Sequence, residues 1–167
     1  MLLTLLLAFV FILAVCLLLY AAVALIQDRR FFTTAPKDIQ AAAVEHPERF
    51  PGAHALGWAL AIVSVLLMVG AFVNGGWNGV KSGFTFWQHW LRFAFMLYLW
   101  KAFDIICLDW LLLTRSHFFQ RFYPETDGCA GYHQFGFNRK EQLIRLAVFP
   151  FAAALMALAA MWIGGQL

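Results

Sequence analysis

Residues 1–26 read MLLTLLLAFVFILAVCLLLYAAVALI, a run with no charged side chain. At about 1.5 Å per helical residue such a run reaches about 39 Å, more than the roughly 30 Å of a bilayer's hydrocarbon core. It has no basic n-region and continues apolar past Leu13-Ala14-Val15-Cys16. The stretch therefore reads as a spanning helix, not a cleaved signal peptide.

Three more runs are long enough to cross: about 55–73, 87–113 and 143–163. Across the 167 residues, 63% are hydrophobic and 13% charged, against roughly half and a quarter in soluble domains. The expected fold is a single all-α integral membrane domain, a bundle of four transmembrane helices, since only helices and closed barrels satisfy their backbone in lipid. Within residues 27–54, Thr34 and Pro36 mark a helix start and Pro47 and Pro51 a stop, predicting a short interfacial helix over Lys37 to Glu45 in the first loop. Asn74-Gly75-Gly76-Trp77-Asn78-Gly79 reads as a turn within the second connection, Asn74 to Phe86.

Orientation follows from the cations. Arg29, Arg30, Lys37 and Arg49 lie in the first loop and Arg115, Arg121, Arg139 and Lys140 in the third, against Lys81 alone in the second. An excess of eight to one puts both basic loops in the cytoplasm and both termini outside, in a multi-pass cell-membrane protein. Trp90 and Trp110 stand about 30 Å apart on a helix, which places Lys101 and Asp104 near the midplane and Asp109 near the inner boundary.

A charged group at the centre of a spanning helix costs about 2.5–3.5 kcal/mol on insertion scales, so Lys101, Asp104 and Asp109 are expected to face the bundle. Lys101 and Asp104, three apart, are expected to pair, leaving Asp109 as the freer carboxylate. A binding site for a lipid or small polar ligand is expected at Lys101, Asp104, Asp109 and Arg115. This gives the first functional reading: a small transporter or a subunit of a membrane complex, acting with copies of itself or another membrane protein. The second reading is a membrane enzyme working on a lipid or other amphipathic substrate at the cytoplasmic interface. Asp109, His117 and His133 would then supply acid–base groups, because histidine titrates near neutral pH.

Other chemistry is poorly represented. His117, Asp127, Cys129 and His133 are ligand types for zinc, but their spacing follows no zinc pattern, and no metal site is expected. Cys16, Cys107 and Cys129 form no disulfide framework. No motif specifies a cofactor, and no basic block suggests nucleic acid. Phe118, Phe119, Phe122 and Tyr123 read as an interfacial anchor. Two stripes of small residues, Gly57, Ala61 and Ser64, and Ala153, Ala157, Ala160 and Gly164, read as helix contacts within one subunit.

Overall fold

A computed structural model describes residues 1–165. It is all-helical, with no strand among the described residues. Helix α1 (Leu2–Tyr20) runs on as a wide π-helical segment, Ala21–Ile26. The short helix α2 (Lys37–Ala42) follows, then α3 (Ala53–Lys81) and α4 (Phe86–Phe103). Helix α4 also continues in π turns, Asp104–Arg115, and α5 (Phe118–Phe122) and α6 (Arg139–Ile163) complete the order. Leu2–Ile26, Ala53–Lys81 and Arg139–Ile163 are long and apolar enough to cross a membrane. The run expected over 87–113 is helical but falls short of that apolarity, since it carries Arg92, Lys101, Asp104 and Asp109.

Helix α1 packs along α3 and α4 along α6, with α1 also touching α4. Ala8, Phe11, Ala71 and Met96 join the first, third and fourth helices, while Phe93 and Ala94 meet Ala153, Ala157 and Ala160 of α6. Both stripes of small residues are used inside the chain. A methyl on Gly57 would strike Leu25 and Ile26, and one on Gly164 would strike Val80. Large apolar side chains such as Leu66, Phe151, Leu155 and Trp162 face outward, a surface unlike that of a soluble monomer.

The Gly/Asn stretch 74–79 is not a turn. Helix α3 continues through it to Lys81, and its glycines let α4 approach closely: Gly79 lies directly under the His89 ring. The turn falls later, at Gly83 (φ +64°), where glycine reaches the left-handed region without penalty. Thr85 and Gln88 then start α4 with a capping box, Gln88 Oε1 accepting from the Thr85 N–H at 2.9 Å.

Pro150 sits inside α6 and has no N–H for the Leu146 carbonyl. The Tyr98 hydroxyl donates to that carbonyl at 2.9 Å, and Trp90 Nε1 donates to Pro150 O at 2.9 Å. Tyr98 thus satisfies the carbonyl that Pro150 leaves free, and Trp90 adds a second link from α4 to the same turn of α6.

The two basic loops pack on one another into a cap. Val23, Phe32, Ile39, Ala43, Leu113, Tyr123 and Tyr132 form its core. Phe118, Phe119 and Phe122, expected to anchor in a leaflet, pack against this core, with Phe32 meeting Tyr123 edge-on at 4.6 Å.

Candidate functional site

The cap and the bundle meet where α1 and α4 both change to π turns. In an α-helix, at about 100° per residue, Asp104 and Asp109 would point about 140° apart. In π-helical backbone, bonded i to i+5, each turn takes more residues, so residues five apart lie much nearer the same face. Asp104 and Asp109 therefore share a face, and both line one cavity of about 310 Å³. That volume lies at the small end of the roughly 300–1,000 Å³ typical of ligand sites.

The opposite wall includes Ala22 and Val23 of the α1 π segment, and Phe32, Ala35 and Phe119 close the cap side. The α1 segment ends at Gln27, the one non-glycine residue with positive φ (54°) among those described. Its amide Nε2 donates to Phe122 O at 3.1 Å, which ties the helix end to the cap.

Lys101 is 1% exposed and its Nζ lies 2.5 Å from Asp104 Oδ2, so the expected pair forms. Asp109 finds its partners on α6 and just before it: Gln142 Nε2 donates to Oδ2 at 2.7 Å and Asn138 Nδ2 at 3.2 Å. Both donors are neutral amides. Arg145 reaches the cavity as well, with Glu141 3.7 Å from its guanidinium.

The other residues singled out from sequence lie elsewhere. Arg115 is exposed with its guanidinium 5.9 Å from the Trp110 ring, and does not pair with Asp109. His117 and His133 are exposed and line no wall of the cavity. Among the described residues no three His, Cys, Asp or Glu side chains gather to hold a metal, and His117, Asp127, Cys129 and His133 form no cluster. Sequence reading missed Asn138, Gln142 and Arg145. Gln142 and Arg145, three apart on α6, were a legible one-face pair, but nothing in the sequence linked them to α4.

The cap is held by its own polar contacts. Glu125 accepts from the Val44 N–H at 3.0 Å and meets His46 Nε2 at 3.1 Å, and Asp38 accepts from the Gly131 N–H at 2.7 Å. Burial opposes ionisation of Glu125, yet the Val44 N–H and His46 outweigh it and hold the carboxyl below its usual range. Burial pushes the Tyr123 phenol up, helped by the negative charge of Glu125 and Asp28.

Comparisons of the chain with known protein families, with curated proteins and with solved structures give no match. Functional inference therefore rests on the geometry of the site.

Proposed function

We propose that the chain is a four-span membrane protein that binds a small amphipathic ligand in the cavity between α1 and the Asp104–Arg115 segment, as a small transporter or a ligand-binding subunit of a membrane complex. One observation carries the reading: two π segments, on different helices, wall a cavity that is apolar except for Asp104, Asp109, Arg145 and Thr34. Wide turns of this kind occur often at functional sites. The helix from Phe86 to Arg115 would be the fourth span, its charges turned toward protein. The outward apolar surface and the eight-to-one placement of cations support a cytoplasmic cap with both termini outside, α2 lying at the interface.

Two measurements test this. Cysteines introduced as Gln40→Cys and Phe135→Cys, with Cys129 replaced by Ser, should label only after the membrane is permeabilised, and Ser82→Cys in intact cells. The reverse pattern would invert the topology. In cells lacking the protein, Ala35→Phe, which fills the cavity, should fail to restore the deletion phenotype while inserting and melting like the parent. Full restoration would remove the cavity from the function.

A further inference from the structure

The charges around the cavity do not cancel. Asp104 is matched by Lys101 at 2.5 Å and Arg145 by Glu141 at 3.7 Å. Asp109 has only the amides of Asn138 and Gln142, and among the described residues no cation lies within ion-pair distance of it. Amides satisfy its hydrogen bonds but bring no opposite charge, so in a low-dielectric chamber the carboxylate's field is directed at whatever fills the space.

The walls have a matching character. Five aromatic rings line the cavity: Phe31, Phe32, Trp100, Phe119 and Phe137. Ring faces are negative and attract cations, and aromatic cages closed by a carboxylate are a general solution for quaternary ammonium groups. An anion would meet repulsion from Asp109, Arg145 being already matched by Glu141, and a strongly hydrated metal ion would find too few oxygen ligands in so apolar a wall.

A second cavity adjoins the first. A polar basin in the cap, lined in part by Lys37, Asp38, Gln40 and Glu141, shares Thr34, Ala35 and Phe137 with the cavity. Asn138 faces that basin and also donates to Asp109, so the carboxylate stands at the junction of the wet and apolar spaces.

We propose that this cavity selects a small hydrophobic organic cation of single charge, an alkyl- or aryl-ammonium, held between Asp109 and the aromatic wall and admitted from the basin. The inference rests on the ligand-binding reading above and adds the ligand's charge and class.

The test uses the full chain reconstituted in phosphatidylcholine nanodiscs. Binding of benzyltrimethylammonium is compared with that of its uncharged carbon isostere and of benzylsulfonate, with empty nanodiscs subtracted. Saturable binding of the cation alone is expected, weakened about tenfold or more by Asp109→Asn, retained in Asp109→Glu and abolished by Ala35→Phe. Phe119→Leu, which leaves every charge in place, should weaken it about threefold and serves if Asp109→Asn fails to fold. Cation binding of equal strength in the parent and in either Asp109→Asn or Phe119→Leu would overturn the proposal. Binding of the isostere or the sulfonate instead, lost in Ala35→Phe, would overturn the cation class and leave the ligand cavity standing. A folded protein that takes up none of the three would overturn both.

Discussion

Helix α4 buries two cations about two and a half turns apart, and the chain treats them in opposite ways. Near the Gly83 turn, Arg92 is 7% exposed and has no carboxylate partner among the described residues. Its guanidinium donates to Gly75 O at 2.5 Å and to Asn78 Oδ1 at 3.1 Å, and lies 4.3 Å from the Phe84 ring. His89 seals the region, wholly buried between Gly79, Phe84 and Phe93. Neither residue lines the cavity at the cap end. At the cap end, Lys101 has its own acid, and the neighbouring Asp104 and Asp109 open onto a cavity. At the first end the polar groups are enclosed by packing, with the His89 ring nitrogens and Arg92 Nε lacking a hydrogen-bond partner among the described residues, whereas at the second they line an opening. Burial and charge alone, similar at the two ends, would not separate them.

The comparison breaks most sharply at the ion pair. Asp104→Leu alone should strand Lys101 in the interior and destabilise the protein by about 3–5 kcal/mol, whereas Lys101→Met with Asp104→Leu should recover most of that loss. Thermal unfolding in detergent reads the difference, and equal losses in the two variants would mean that the pair does not stabilise the fold.

At the other end the expected cost is steric. Gly79→Ala should destabilise by about 1–3 kcal/mol, because the added methyl meets the His89 ring, and adding His89→Ala should restore part of it. The ligand cavity lies elsewhere, so probe binding should persist in the surviving fraction. Loss of binding at unchanged stability would show that the two ends are coupled.

The cap should respond to acid. The Glu125 carboxyl is held below its usual range, so it stabilises the cap above its unfolded value, near pH 4, and loses that contribution as pH falls through the lower folded value. Protection of the Val44 amide, the slowing of its exchange relative to an unstructured peptide at the same pH, should therefore fall below about pH 4. Glu125→Gln should cost about 1 kcal/mol at neutral pH and flatten the profile. Protection at Val44 in the parent that is constant with pH across this range would show that Glu125 does not anchor the loop.

The smallest effect on stability is expected where the effect on function is expected to be largest. Asp109→Asn should shift stability by less than about 1 kcal/mol, since the amides of Asn138 and Gln142 can reorient to bond its carboxamide. Complementation should nevertheless fail. His117→Ala and His133→Ala, measured alongside, decide the competing reading: loss of complementation in both, with Asp109→Asn active, would favour acid–base chemistry in the cap over the cavity.

The sequence by itself determined that the chain is helical and that Lys101 and Asp104 meet, and of the four runs it offered as spans three are long and apolar enough to cross a membrane. These follow from properties that act over one helix: run length, the cost of an unpaired charge, and i to i+3 proximity. It also separated the basic segments from the rest, and those segments do pack together. Only the tertiary structure decided the site. Residue spacing assumes an α-helical pitch, and the π turns from Asp104 to Arg115 replaced it, bringing Asp109 nearer the face of Asp104, where both line the cavity. The partners of Asp109 come from 29 and 33 positions away, a separation that no local pattern encodes. The same holds for Asn74 to Gly79, where a turn signature was overridden because the missing side chains let His89 and Phe93 pack against α3. Local chemistry chose the elements, and the packing of one element on another determined which polar groups face a cavity.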